Sequence, residues 1–417
     1  MQKKLIGPFK QVLSLADIPL KGAISDQQLH VIPESGIRIE DGKIVEIGTY
    51  SDLKAAATAD TVLIVPEGDQ VAVPSYVDCH THIAFAGNRA NDFALRNAGA
   101  TYLEIAQAGG GIWSTVQHTR EASEAELVKG IIERANFLMA QGVTTIEVKS
   151  GYGLSILEEL KMLRAIKEAQ KELSVTLIPT CLAAHMKPRD FEGDNSAYLS
   201  MVADNLFPLL KEEGLTTRID AFIEQSAFSA EEITPYFEKA RAYGFDITVH
   251  ADQFTTSGSA VAVAFGARSA DHLEASTEQE VALLAQSDTI AVALPGASVG
   301  LGCAFTPARQ LLDQGASLAI ATDWNPGSAP MGQLMAQASI LATAQKLSNA
   351  ELFAAITFRA AHALNLRDSG RLAVGEQADF ITYKTDNYQN ITYLQGSLQP
   401  EQVWKNGTNI FTKGERA

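Results

Sequence analysis

Residues 71–89 read VAVPSYVDCHTHIAFAGNR, an apolar run containing Pro74 that ends in Asp78-Cys79-His80-Thr81-His82. If the run is a strand, its two-residue period turns His80 and His82 to one face, where two ring nitrogens can share a cation. Cys79 then points to the opposite face and is set aside as a ligand. A pair of histidines one residue apart is equally the polar end of an ordinary strand, so the pattern matters only if it recurs along the chain. VTLIPTCLAAH ends on His185, FDITVH on His250, ARSADH on His272 and ASLAIATD on Asp323. Apolar segments that each finish on a metal-binding or proton-handling residue match a parallel (β/α) barrel, whose active site is built at the carboxyl ends of its strands.

Working outward, strand-like and helix-like segments alternate between residues 76 and 368. Strands are predicted at 71–78, 143–148, 175–181, 219–223, 246–250, 267–271, 289–294 and 317–322. Helices are predicted at 123–141, 155–172, 196–213, 230–243, 257–265, 277–285, 305–314 and 331–345. Eight of each is the count of a TIM-like (β/α)8 barrel. A doubly wound sheet is the competing α/β solution, but GGGIWST at 109–115 lies in a connection without a preceding strand, unlike a dinucleotide-binding turn. The chain ends differ in texture. IRIEDGKIVEIG alternates around Asp41-Gly42, and EQVWKNGTNIFT does so around Asn406-Gly407, both hairpin signals. Residues 1–75 together with 369–417 are therefore expected to form a small composite β-sandwich domain, and 76–368 the barrel. The segment from Ile83 to Ser123 is too long for a simple connection. It carries Arg89, Arg96, Tyr102, the triplet Gly109–Gly111 and Arg120, and is expected to wall the substrate pocket.

Of the 417 residues 46% are hydrophobic and 20% charged, enough for a large core. The formal net charge of −16 argues against nucleic acid and anionic membranes as partners, since both ask for a basic patch. Cys79, Cys181 and Cys303 are odd in number and widely spaced, the pattern of buried free thiols. No apolar run approaches membrane-spanning length and the first residues lack a signal-like apolar region, so a cytoplasmic location is expected.

Three imidazoles and a carboxylate, His80, His82, His250 and Asp323, suit Zn²⁺ or Fe²⁺ and leave a coordination position for water. Such an ion makes hydroxide available near neutral pH and polarises a carbonyl, so hydrolysis is expected before redox chemistry. His272 is the candidate proton-handling residue, with neighbouring Asp271 as its orienting partner. His185 is either a further ligand or a group that polarises the substrate carbonyl. Glu147 and Lys149, taken to lie near the fourth barrel strand, leave a second metal open.

These stretches resemble the metal-dependent amidohydrolase superfamily and, within it, the imidazolonepropionase family. The resemblance runs through HTHIAFAGNRANDFALRNAGATYLEI, AGGGIWSTVQHTREAS, TTIEVKSGYGL, HADQ, SADHLE and ATDWNPGSAP. It implies a single Zn²⁺ or Fe²⁺/Fe³⁺ ion per subunit on His80, His82, His250 and Asp323, with His272 near the bound water. It implies substrate contacts from Arg89, Tyr152, His185, Gln253 and Ser328, and product contacts from Asn325 and Gly327. The implied reaction is hydrolysis of the cyclic amide of 4-imidazolone-5-propanoate to N-formimidoyl-L-glutamate in histidine degradation, by attack of a metal-bound hydroxide. The small-molecule substrate is the expected partner, with a homodimer as the expected assembly. A guanidinium at Arg89 can grip the propionate with two parallel hydrogen bonds. One departure matters: some members carry glutamate at Gln253, and an amide cannot take up a proton as a base. Catalytic proton transfer is therefore expected from His272 with Asp323, while Gln253 and His185 orient the substrate. A cyclic amidine deaminase is the alternative within the superfamily, and an inactive scaffold the alternative outside catalysis.

Overall fold

The computed structural model describes residues 3–100, 104–105 and 108–414; Tyr102, singled out above, lies outside them. Among the described residues, the strands are β1 (Lys3–Leu13), β2 (Val31–Glu40), β3 (Lys43–Thr49), β4 (Thr61–Ile64), β5 (Val71–Pro74), β6 (Tyr76–Asp78), β7 (Val143–Lys149) and β8 (Thr176–Ala184). They continue with β9 (Arg218–Phe222), β10 (Asp246–Ala251), β11 (Ser269–His272), β12 (Ile290–Ala293), β13 (Leu318–Ile320), β14 (Phe380–Tyr383), β15 (Gln402–Lys405) and β16 (Thr408–Thr412).

Strands β6 to β13 pair in parallel and in sequence order, each neighbour beside the next. Helices such as Glu124–Ala140, Ile156–Gln170, Asn195–Glu213 and Ala230–Ala242 return the chain between strands. This is the (β/α)8 barrel expected from the alternation. The first and last strands meet only at their carboxyl ends: Thr81 bridges Trp324, His82 N donates to Trp324 O at 3.0 Å and Asp323 N donates to His80 O at 3.0 Å. The barrel is thus closed by the segments that carry the candidate ligands.

Both chain ends enter the second sheet, ordered β16-β15-β14-β5-β1-β2-β3 with β4 also on β1. Its two tight turns have left-handed backbone at both central residues, Asp41 and Gly42 (φ 49° and 83°) and Asn406 and Gly407 (φ 48° and 65°). Those angles match the right-handed twist of the flanking strands, which explains Asn-Gly and Asp-Gly there. The sheet buries Ile6, Phe9, Val12, Ile37, Ile39, Ile44, Ala72, Phe380 and Trp404 in one cluster.

The structure corrects the opening strand. The run 71–78 is two strands in two sheets: β5 pairs β14, and β6 pairs β7. The switch falls at Ser75, whose N–H reaches Asp379 O, whereas Tyr76 N reaches Gly142 O. Pro74 supplies no N–H to continue the first ladder. The segment 83–123 also carries helices of its own, Ala90–Asn97 and Ile112–Glu121.

Candidate metal centre and substrate pocket

The strand tops bring His80, His82 and His250 together, with one ligand atom of each lying within 4.8 Å of the others. His250 Nε2 is 3.3 Å from His82 Nε2. Asp323 Oδ1 lies 3.3 Å from His82 Nε2 and 3.6 Å from His80 Nε2. His80 Nδ1 is 2.6 Å from Asp271 Oδ2, and His250 Nδ1 is 3.0 Å from Asp220 Oδ2. A carboxylate accepts only, so His80 Nδ1 carries the proton and its Nε2 turns a lone pair inward, while His250 Nδ1 faces Asp220 across a close ionic contact. His80 Nε2 is fully buried and has no hydrogen-bond partner among the described residues. Burial holds the imidazoles of His80 and His82 well below their ordinary pKa and pushes His250 down to about 3, so all three are neutral donors. Converging neutral nitrogen lone pairs beside a carboxylate oxygen fit a divalent cation of the zinc or iron type.

Beneath them lies an interior ion cluster that the sequence reading misplaced. Glu147 and Lys149 stand on β7, the second barrel strand, and not near the fourth. Lys149 Nζ is 2.7 Å from Glu147 Oε1, 2.8 Å from Asp220 Oδ2 and 4.0 Å from Asp271 Oδ2. Burial works against this ammonium, but Asp220, Glu147 and Asp271 outweigh it and raise its pKa. The ammonium thus stands as the counter-ion of three carboxylates in the barrel interior.

Two assignments of partners change. Asp271 orients His80, not His272; the partner of His272 is Glu274, 3.4 Å from Nδ1. Successive strand residues face opposite ways, so Asp271 points into the barrel while His272 turns out over it. Its backbone leaves the strand with a left-handed φ of 86°, followed by Leu273 at 71°. Burial opposes a charged His272, yet Glu274, Asp323 and Asp271 raise its pKa. His185 donates from Nδ1 to Gly151 O at 2.9 Å. Burial lowers its pKa, and in the neutral ring so oriented Nε2 is the acceptor nitrogen.

These groups floor a cavity of ≈ 550 Å³ whose walls include Arg89, Arg96, Tyr152, His185, Gln253, Asn325, Gly327 and Ser328. His82, His250, His272 and Asp323 share this cavity with those wall residues, whereas His80, Asp271, Glu147 and Lys149 do not line it, and neither does Arg120, which is bonded to Asp190 and Gly153 O. Tyr152 is buried beside the stacked rings of His82 and His185, and burial keeps its phenol protonated as a donor. Arg89 Nε donates to Asp92 Oδ2 at 2.7 Å. Asn325 spends its amide on its own loop, donating to Asp323 O and accepting from Gly327 N and Ser328 N at 2.8 Å. Ser328 Oγ lies 3.4 Å from Asp323 Oδ2. The backbone just after Gln253 is held by Glu224, whose carboxylate accepts the N–H groups of Phe254 and Thr255 at 2.9 and 3.0 Å.

Sequence reasoning passed over Asp220, Glu224, Glu159, Asp92, Glu274 and Cys303. Asp220 had a usable signal, a carboxylate inside the buried strand RIDAF; such a group needs a partner. Cys79 packs with Val77, Val292 and Ala321 away from the ligands, whereas Cys303 lines the cavity. No described helix is long and apolar enough to cross a membrane.

Comparison with known proteins places this geometry. A model of the amidohydrolase family matches residues 106–411. An imidazolonepropionase of Bacillus cytotoxicus is 38% identical over 396 residues, covering 93% of this chain and 92% of the relative. Among solved structures, a triazine hydrolase from Arthrobacter aurescens superposes with a TM-score of 0.75 at 15% identity, covering 99% of this chain and 95% of that one. A zinc-bound adenosine deaminase from Xanthomonas campestris gives 0.71 at 18% identity, covering 98% and 93%. The two structures share the fold, while the family model and the sequence relative go further: this chain is a metal-dependent hydrolase and belongs to the amidohydrolase family, among the imidazolonepropionases.

Proposed function

We propose that the chain opens 4-imidazolone-5-propanoate by hydrolysing its cyclic amide C–N bond, releasing N-formimidoyl-L-glutamate in histidine degradation. The observation that carries this reading is a cavity with two chemically distinct ends. Converging imidazole nitrogens with Asp323 lie at the floor, and guanidinium groups stand in the wall. The substrate has the same polarity, a ring carbonyl at one end and a propionate at the other.

In this reading His80, His82, His250 and Asp323 hold one Zn²⁺ or iron ion per chain. Such an ion supplies acidified water and Lewis-acid polarisation of the carbonyl. Arg89 binds the propionate, Tyr152 donates a hydrogen bond from its buried phenol, and His185 accepts one from a ring N–H at Nε2. His272, steadied by Glu274, takes the proton released by the attacking water and returns it to the departing ring nitrogen. Gln253 orients the ring, since its amide has no proton to exchange. The three unpaired cysteines agree with a reducing cytoplasm.

The test is loss of the ultraviolet absorbance of freshly generated 4-imidazolone-5-propanoate, with and without a chelator. Chelator-sensitive loss with N-formimidoyl-L-glutamate as product is expected. No loss by the metal-loaded enzyme overturns the substrate, and release of ammonia from a cyclic amidine instead moves the chain to the deaminases.

A further inference from the structure

The anionic end of the cavity holds more positive charge than one clamp arginine supplies. Arg89 and Arg96 both face it, on opposite ends of the helix Ala90–Asn97 and its first flanking residue. They converge on Gly327. Arg96 donates from one terminal nitrogen to Gly327 O at 3.1 Å, and a Cβ on Gly327 would collide with the Arg89 guanidinium. Their relation to carboxylates differs. Arg89 is tied through Nε to Asp92, which is itself fixed by the Gly111 N–H at 2.9 Å. A Cβ on Gly110 would strike that same carboxylate, so the middle glycine of the triplet lets the backbone close over Asp92. Arg96 Nε is buried without a hydrogen-bond partner among the described residues. The other cavity carboxylates are engaged elsewhere, Glu224 with the Phe254–Thr255 backbone and Asp323 with the imidazoles.

Two guanidiniums with one carboxylate between them leave a charge for a ligand to neutralise. Asp92 occupies the Nε edge of Arg89, so Arg89 offers its terminal nitrogens, and a planar carboxylate has lone pairs for a second fork. We infer that Arg96 is a specificity-determining residue, the second arm of a two-guanidinium grip that selects ring substrates with a carboxylate tail. This rests on the reading above for the ring, but not for the tail.

The experiment compares wild type, Arg96→Gln and Arg96→Lys. Calorimetry measures binding of the unreactive pair imidazole-4-propanoate and imidazole-4-propanamide, and turnover is measured with 4-imidazolone-5-propanoate. A hydrogen bond to a charged group is worth about ten- to a hundredfold in affinity. Arg96→Gln should weaken binding of the propanoate by that factor and leave the propanamide unchanged. KM for 4-imidazolone-5-propanoate should rise in step while kcat stays within about threefold, and Arg96→Lys should recover part of the loss. Equal weakening of both ligands would mean that Arg96 only props the Gly327 loop, and would overturn the inference. So would unchanged propanoate binding, or a wild type that does not prefer propanoate to propanamide. A wild type that prefers propanoate through Arg96 yet turns over no imidazolone would sink the proposed reaction and leave the inference standing. Should Arg96→Gln fail to fold, Arg96→Lys decides through the same propanoate-to-propanamide ratio.

Discussion

Glu159→Gln tests whether one carboxylate organises half of the substrate pocket from outside it. Glu159, fully buried on the helix Ile156–Gln170, accepts Gly153 N at 2.9 Å and Leu154 N at 2.7 Å on Oε1, and Gly151 N at 3.1 Å on Oε2. The loop it gathers carries Tyr152, and the Gly151 carbonyl sets the His185 tautomer. Arg120 Nε also holds the loop, donating to Gly153 O at 2.7 Å, but its backbone is demanding: Gly151 and Leu154 are left-handed at φ 106° and 53°, and Gly153 has no room for a Cβ against the Glu158–Glu159 backbone. A glutamine keeps one acceptor oxygen, now uncharged, and turns an NH2 toward the Gly151 N–H. Losing one charged bond and leaving two donors opposed should cost about 2–4 kcal/mol of loop order. Expressed in the pocket, that predicts a fall in kcat/KM of roughly thirty- to several-hundredfold, carried largely by KM. Metal content should not change, because the four candidate ligands stand on other strands. Steady-state kinetics and metal analysis on the same preparation check both halves. Folded Glu159→Gln enzyme with kcat/KM within about twofold of wild type would refute the reasoning, as would loss of metal in proportion to activity.

Two further expectations follow from packing. Gly327→Ala should push the Arg89 guanidinium aside and raise KM for a carboxylate-tailed substrate with metal content intact; an unchanged KM would show that Arg89 does not grip the tail where it now stands. In the second sheet, Phe380 is fully buried, stacked on Trp404 at 5.4 Å between ring centroids and edge-on to Phe9. Phe380→Ala should cost about 3–5 kcal/mol in denaturant unfolding. Its kcat/KM should be nearly unchanged below the transition, since neither the residue nor the cluster it packs in lines the cavity.

The alternation of the chain and its punctuation by His185, His250, His272 and Asp323 made the barrel legible, because parallel strands buried on both faces read as apolar runs and their polar residues stand out at the ends. The same logic failed at 71–78, where an unbroken apolar run hides a change of sheet; only Pro74 hinted at it. The candidate ligands were legible for a local reason, as HxH at a strand end needs only alternation to turn both rings one way. The groups that orient those ligands were not. Asp220, Asp271 and Lys149 are brought together by β7, β9 and β11, and no local pattern says that a lysine after an apolar run points into a barrel. Asp271 shows the limit well: adjacency in sequence suggested His272 as its partner, while strand alternation delivers it to His80, 191 residues away. Glu159 was hidden for the opposite reason, since a glutamate in the first turn of a helix is ordinary.

The same buried charges make metal removal informative about stability. Glu147, Asp220, Asp271 and Asp323 are all within the barrel mouth, and Lys149 is the ammonium set among them. Burying like charges is costly unless opposite charge is near; the four carboxylates outnumber the Lys149 ammonium and the Arg218 guanidinium that faces Glu147, and burial together with Asp220 pushes Asp271 up to about 7. A divalent cation on the three imidazoles would correct that excess, and binding to the folded state alone adds stability by mass action. Stripping the protein with a chelator should therefore lower its unfolding midpoint, and Asp271→Asn should have opposite effects on the two forms. In the stripped protein it removes one repelling charge, so the variant should be more stable than stripped wild type. In the loaded protein it weakens the orientation of His80, and metal affinity should fall about ten- to a hundredfold, the usual effect of losing a partner behind a ligand. Urea titrations of both proteins, with and without metal, read the two effects separately. If stripped Asp271→Asn is less stable than stripped wild type, the carboxylates are not in excess, and the cation's charge is not what the barrel mouth is built to accept.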